Sequence, residues 1–477
     1  MSLNSIFGTA TLALQAQQAA IETAAHNISN ANVAGYSRQV VSLTPNTPLY
    51  TPIGAVGTGV LVHDISRVRD TMLDTNYRAQ TSQSGAYNTQ GDILASIGRV
   101  FGEPSATGLS NTLDQFYASW SDLANNPSNG AAKSVVQERG AAVASTLNYF
   151  SSSLDQVASN TLASASQQVN DINQYTSQIA GINQQIVAAE GNGTSANDLR
   201  DMRDNAIDSL SKIVPVRVID HGNGSDTIYI AGATVVDGSD AKRFSLQGAS
   251  GSISLQMSGR AFLTQSLGGS LGANLGALNT DIPNAKGQLD TLAAGIVTSV
   301  NAIHATGWTA AGDALGGSNW NSVTPPTGSK VNFFDSTKTT ARSISLSTQV
   351  ASNAAYIAGG DAQNATGNNN IANKMAALAS DPSTVAKFGS STETTSITEF
   401  YRDLVTRAGV ATNNANSSAT VYATLAQQAQ TQRQSTSGVS TDEELISLTK
   451  NQQAYAAAAK IITTASSMSQ TLLDMIR

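Results

Sequence analysis

Cysteine is absent from this chain of 477 residues, which excludes disulfides, thiolate metal ligation and a catalytic thiol. Charge is also scarce: Asp, Glu, Lys and Arg make up 12% of the residues, about half of the roughly 25% usual in soluble proteins. Ser, Thr, Asn, Gln and Ala take their place, so something other than charge must cover much of the surface. The 26 Lys and Arg set against 33 Asp and Glu leave a formal net charge of -7. That balance is poor for gripping phosphates and disfavours nucleic-acid binding. No long unbroken apolar run occurs, and Met1 to Ser5 lacks a basic segment leading into one, so neither a cleaved signal nor membrane insertion is expected. The length leaves room for about three domains.

Recognisable chemistry is missing too. His26, His63, His221 and His304 are far apart, with no pair at metal-ligand spacing on one helix. The block Asp198, Arg200, Asp201, Arg203 and Asp204 alternates in sign near a helix start at about Ser195. That pattern is expected to be a solvated face complementing the helix dipole. Asp220, Asp226, Asp237 and Asp240 do not form a calcium-loop pattern and read as turn residues. Phosphate-binding glycine loops and a G-x-S-x-G elbow are both absent. No catalytic residue, metal site or cofactor is assigned, and the chain is not expected to be an enzyme.

The two ends are regular. Steps of four and three from Leu3 reach Phe7, Ala10, Leu14, Gln17, Ile21, Ala24 and Ile28, a heptad seam that should end near Asn30, Asn32 and Gly35. A second seam passes through Leu445, Leu448, Gln452, Tyr455, Ala459, Ile462, Ser466, Ser469, Leu473 and Ile476. Its start is marked by Ser440 three residues before Glu443, a capping box. A hinge or tight turn is expected at Gly438. Before Arg38 the only formally charged side chain is Glu22, and between Asn451 and Leu473 it is Lys460. Helices this poor in charge are expected to pack on several sides, either in an assembly of many copies or as a hairpin within one chain.

Between the ends, helical periodicity runs from Leu109 to Leu123, from Val143 to about Ile186, from Leu289 to Ile303 and from Ile397 to about Gln432. From Val214 the period changes to two, with strands around Thr227–Ile230, Thr234–Val236, Phe244–Leu246 and Ile253–Leu255 split by Gly-containing turns. Gly307 to Phe334 and Gly359 to Asn370 read as long exposed loops. The fold class is therefore mainly α with an inserted all-β domain: a long-helix bundle core and paired terminal heptad helices. The expected domains are residues 1–65 with 437–477 for assembly, 66–213 with 271–436 as the bundle, and 214–270 as the β insert.

Leu12 to Gln39 and Ser437 to Ile476 together resemble the two end signatures of the bacterial flagellar rod, hook and hook-associated family. Within it, Gly35-Tyr36-Ser37-Arg38-Gln39 and the block Asp198 to Val214 resemble the branch that joins hook to filament. Where the family usually has Thr-Pro before Gly-Tyr, this chain has Val33-Ala34. The resemblance implies a structural axial protein exported through the flagellar type III pathway without a cleaved signal. It would self-assemble outside the cell, as a ring or layer, through its terminal helices. Implied partners are other copies, the hook protein, a second junction protein, and an export chaperone with the export apparatus. The alternative inside the family is a hook or distal rod protein. Outside it stand a cell-wall hydrolase, which would need a catalytic constellation, and a coiled-coil signalling protein, which would need charged heptads or membrane spans.

Overall fold

The computed structural model describes residues 3–475 except 52–53, 107, 192, 263–266, 310–330, 363–364, 366 and 387–391. The chain begins with α1 (Leu3–Asn30) and then forms an antiparallel ribbon of β1 (Gln39–Pro45) and β4 (Val60–Arg67), with β2 (Leu49–Thr51) and β3 (Gly54–Val56) paired at its tip. Helices α2 (Thr71–Phe101), α3 (Leu109–Asn125), α4 (Gly130–Glu190) and α5 (Asn197–Ile213) follow. A sheet of β5 (Val216–Asp220), β6 (Asp226–Ile230), β7 (Ala233–Asp237) and β8 (Asp240–Ala241) then precedes a smaller one of β9 (Phe244–Gln247), β10 (Ser254–Met257) and β11 (Arg260–Ala261). Next, α6 (Gly269–Gly276) continues through one π turn (Ala277–Asp281) into α7 (Ile282–His304). Short α8 (Thr348–Ser352), α9 (Asn370–Ala377) and the pair β12 (Val385–Ala386) and β13 (Thr394–Thr395) lead to α10 (Ile397–Ser437) and α11 (Thr441–Asp474).

The long helices start where a side chain satisfies their free N–H groups. Asp70 accepts from Met72 and Leu73, Asn129 from Ala131 and Ala132, Ser396 from Glu399 and Ser440 from Glu443. Helix α4 has 61 residues, about 90 Å at 1.5 Å per residue, and it is the spine of two separate cores. Its first half, through Val143, Leu147 and Leu154, packs with Phe116, Trp120, Leu289, Ile296, Phe333, Phe334 and Tyr401. Gly140 lets Phe333 lie against the helix, because a Cβ there would stand 2.5 Å from the ring. The second half, through Ile172 and Ile179, packs with Ile207, Leu210, Ile228, Val235, Phe244, Leu255 and Leu271.

Helices α2 and α10 pack antiparallel along each other. Phe101 meets Tyr401 at one end, Tyr87 and Tyr422 stack at 5.2 Å between centroids, and Arg433 lies over the Tyr77 ring at the other end. Helices α1 and α11 form the second long pair, within one chain.

Several features differ from the sequence reading, among them the whole of α2 (Thr71–Phe101) and the start of α4 at Gly130, neither of which was expected. The ribbon between Gln39 and Arg67 was not expected, because its apolar residues are interrupted by Pro45, Pro48 and several glycines. Helix α10 continues five residues beyond Gln432 to Ser437, since Ser435 and Ser437 return hydroxyl hydrogen bonds to the preceding turn and only Gly438 breaks the ladder. The β strands lack a core of their own: they share one with α4, α5 and α6. Of the expected loop from Gly307 to Phe334, residues 310–330 lie outside the described residues, while Trp308 bridges to Gly360 and Phe333 and Phe334 are fully buried.

Candidate functional site: the terminal helix pair and its ionic anchor

The buried face of the terminal pair is made of small residues. Ala10, Ala16, Thr23, Ala24 and Asn27 of α1 are buried, as are Glu444, Ala458 and Ala465 of α11. In α1 the predicted seam residues Leu3, Phe7, Leu14, Ile21 and Ile28 are half-buried. In α11 the intramolecular contact lies largely one residue ahead of the predicted register, at Glu444, Asn451, Ala454, Ala458 and Ala465. Leu448 and Ile462 are half-buried at its edge, whereas Leu445 (49%), Tyr455 (39%) and Leu473 (59%) remain exposed. Ile476 lies outside the described residues. Small side chains let the two helices approach closely and leave the large apolar ones facing out.

The segment after α1 holds this pair in place. Gly35 has φ +79°, and a Cβ there would fall 1.7 Å from Asn205 Oδ1, so both conformation and space demand glycine. Asn27 Nδ2 donates to Gln39 O at 2.9 Å and to Glu444 Oε2 at 3.1 Å, while Asn27 Oδ1 accepts from Gln39 N at 3.0 Å and Tyr36 OH at 2.8 Å. Arg38 Nε donates to Glu444 Oε1 at 2.7 Å, and its backbone N–H donates to Ser437 O at 2.9 Å. The family-motif residues thus tie the end of α1 to the start of α11. Gly438 has an extended backbone (φ -72°, ψ 158°) between α10 and α11, and its N–H donates to Gln434 O at 2.8 Å. A Cβ at Gly438 would stand 2.4 Å from that same oxygen, so glycine is required here by close approach and not by φ. A cleft of about 690 Å³ is lined by residues 31–38 and 434–440 beside this contact.

Beneath the motif lies an ionic cluster that balances Arg67, Arg69, Arg78 and Arg433 against Asp74, Asp201, Asp204 and Asp208. Arg67 Nη1 donates to Asp201 Oδ1 at 2.6 Å and Asp204 Oδ2 at 2.9 Å. Arg69 grips Asp74 with two hydrogen bonds of 3.0 and 2.7 Å and reaches Asp204 at 3.1 Å. Arg78 bonds Asp208 at 2.6 Å and Asp204 at 3.1 Å, and Arg433 bonds Asp208 at 2.5 Å. The cluster therefore joins the ribbon, α2, α5 and α10. Ser37 adds the motif to it, donating its N–H and hydroxyl to Asp201 at 2.9 and 2.7 Å. Burial alone would raise the Asp204 pKa, but Arg69, Arg78 and Arg67 outweigh it and hold the carboxyl well below the usual range.

This corrects the reading of the Asp198 block as a solvated face. Asp201, Arg203 and Asp204 are buried, because partners distant in sequence converge on them. Asp198 alone keeps an exposed side chain, near His26 and Gln39, and Arg200 pairs with Glu190 at 2.7 Å. Asp226 is likewise no turn residue: it is buried against Arg203 at 3.0 Å. Burial pushes its pKa up to about 6, with the Arg203 charge opposing. Sequence reasoning missed Asp74, Arg78, Arg433, Asn27 and Glu444. The available signal was Asp201, Asp204 and Asp208, whose i, i+3, i+7 spacing makes one acidic stripe beside the buried Ile207 and Leu210.

Chemically, this arrangement fixes geometry. Every carboxylate of the cluster is engaged by guanidinium groups, and no group of three or more His, Asp or Glu is placed to hold a metal among the described residues. No described helix is long and apolar enough to cross a membrane.

Comparison with known proteins bears on what such a device serves. Residues 94–319 match the model of the flagellar hook-associated protein FlgK helical domain. Residues 7–36 match that of the flagella basal body rod protein, and 430–475 that of the flagellar basal body rod FlgEFG protein C-terminal region. Flagellar hook-associated protein 1 of Bacillus subtilis is 31% identical, over 98% of this chain and 96% of its own length. The protein of that name from Salmonella typhimurium is 27% identical over 99% and 100% of the two chains. The fold is similar to that of the flagellar hook junction protein FlgK from Burkholderia pseudomallei, with a TM-score of 0.63 at 16% identity over 76% of this chain and 100% of that one.

Proposed function

Because this chain belongs to the flagellar hook-associated protein 1 family, a family of flagellar structural proteins and not of enzymes, we propose that it forms the junction layer between hook and filament. In this reading residues 1–65 and 437–477 are the assembly unit, 66–213 with 271–436 form the bundle, and 214–270 form the β domain. The seam residues Leu3, Phe7, Leu14, Ile21 and Ile28, with Leu445, Leu448, Tyr455, Ile462, Leu473 and Ile476, meet neighbouring copies. Gly438 is the point about which the assembly unit is set. The chain leaves the cell by the flagellar export apparatus with a chaperone. Outside, it contacts the hook protein on one side and a second junction protein on the other.

The observation that carries the reading is the pairing of opposites at the chain ends. The helix pair turns large apolar side chains outward, with Lys460 the one charged side chain between Asn451 and Leu473, yet an ionic cluster with matched charges holds it in a defined orientation. A monomer gains nothing from exposing Leu445, Tyr455 and Leu473, whereas a ring of copies covers them. The reading as hook or distal rod protein rests on the end signatures shared across the family, and the match over 94–319 favours the junction protein. Electron microscopy of hook-basal bodies from a deletion strain, with and without the gene restored, tests this. Restored filaments with the chain at the hook tip are expected, and a tagged chain found elsewhere would sink the assignment.

A further inference from the structure

The ribbon β1–β4 carries the least expected surface of the molecule. No Asp, Glu, Lys, Arg or His occurs from Val40 to Val62. Leu43 stands opposite Val62 in the ladder, and both are exposed. Leu49 and Tyr50 at the tip are exposed as well, Tyr50 by 81%. Among the described residues the ribbon's two strands pair only with each other. Its inner side lies on α1, where a Cβ at Gly59 would come within 3.4 Å of Thr9 and Leu12.

Helix α11 offers a second surface of the same kind. Ile461, Met468 and Met475 recur every seventh residue and therefore share one face, with Leu472 beside them. All four are exposed, Met468 by 53%, and Ala457, Thr464 and Thr471 continue the face without charge. The two surfaces lie at the same end of the terminal unit. Asn27 meets Glu444 at one end of the antiparallel pair, which places the last turns of α11 near the start of α1. The ribbon runs back along α1 from Gln39, beside Asn27, toward Thr9. Helix α1 packs against both α11 and the ribbon.

Resting on the junction reading, we infer that the ribbon of one copy docks on the Ile461–Met468–Leu472–Met475 stripe of α11 in the next copy. The occupant is a second copy for two reasons. Neither surface bears a charge that would select a differently charged partner, and each copy supplies both halves. The contact is heterologous, since the ribbon of one copy meets a different surface on the next, and it therefore repeats from copy to copy. The ribbon is thus an assembly element in its own right, additional to the helical seams.

The chain's lack of cysteine gives a clean test. Full-length chains carrying Tyr50→Cys, Met468→Cys or both are produced in a deletion strain, and isolated hook–filament junctions are treated with a short bismaleimide. The doubly substituted chain should give a ladder of multimers, each single variant none, and the two singles made together a dimer containing one of each. Tyr50→Asp should lower the amount of chain in the junction fraction by about tenfold or more, because a carboxylate is buried in the contact, with an unchanged melting temperature. Intact junctions without a ladder would overturn the inference and leave the junction reading standing. Dimers from Tyr50→Cys alone would overturn it in favour of ribbon-to-ribbon pairing, and a product containing another flagellar protein would overturn it in favour of that partner. A chain absent from the junction altogether would remove the reading on which the inference rests.

Discussion

The ionic anchor and the terminal helix pair invert the usual distribution of side chains in opposite ways. In the anchor, Asp201, Asp204, Asp208, Asp74 and Arg78 are buried. In the pair, Leu445, Ile446, Ile461, Met468, Leu472, Leu473 and Met475 are exposed. A buried charge cluster adds little net stability over a well-packed apolar one, but it accepts few alternative geometries. An exposed apolar face stabilises nothing until something covers it. The difference teaches that this chain places directional interactions where the orientation of its elements is set and leaves non-directional ones facing outward.

That contrast is tested most severely inside the anchor. Asp204→Ala removes the shared partner of Arg67, Arg69 and Arg78 and leaves buried guanidinium charge uncompensated, a loss of about 3–5 kcal/mol. Urea unfolding of the full chain should show it, and a loss below about 1 kcal/mol would mean that the anchor does not order the monomer.

A pH titration gives the next largest effect, from a group that belongs to neither region. His304 is buried, with Nδ1 donating to Val331 O at 2.6 Å and Nε2 accepting from Ala358 N at 3.1 Å, so the fold holds it neutral. Burial lowers its pKa to about 4, with the Val331 carbonyl opposing and Lys133 assisting. The unfolded chain then binds the proton first, near an ordinary histidine pKa of about 6.5. Stability from this group is complete above that value and is lost as pH falls toward 4, by roughly 2–4 kcal/mol. Asp226 acts in the opposite direction, because its raised pKa lets the folded form bind protons first between the ordinary carboxylate range and about 6. His304→Gln isolates the histidine: the variant should lose less stability than the parent between pH 7 and 5, and parallel curves would refute the assignment.

Removing the terminal pair should cost less. A fragment of residues 66–434 keeps all eight charged residues of the anchor and both apolar cores. It gives up the Ser37 hydrogen bonds to Asp201, which are worth about 1–3 kcal/mol. Sedimentation should find a folded monomer, and self-association equal to that of the full chain would move the assembly surface into the bundle.

The smallest effect on the monomer is expected from Leu473→Asp. Leu473 is exposed in the single chain, so stability should stay within about 0.5 kcal/mol of the parent. In the assembly the new carboxylate would be buried without a partner, and filament protein should be lost to the medium. Normal swimming with intact filaments would show that Leu473 is no assembly contact.

Much of the architecture was legible because it is local. The heptads of α1 and α11, the Ser440 cap and the change of period after Val214 follow from spacing and capping chemistry between near neighbours in sequence. The register of α11 was not legible to within one residue: Ala458 and Ala459 are alike in sequence, and only the packing of α1 decides which is buried.

The sequence by itself determined that the chain ends are helical, since period and capping are properties of the chain alone. The tertiary structure alone decided that Asp201, Asp204 and Asp208 are buried, because burying them requires Arg67, Arg69, Arg78 and Arg433 from three other elements. It also decided that Tyr50 and Met468 are exposed. A local reading sees only the cost of desolvating a charge or exposing an apolar side chain, while the compensating partner arrives through folding in the first case and through another copy in the reading proposed for the second.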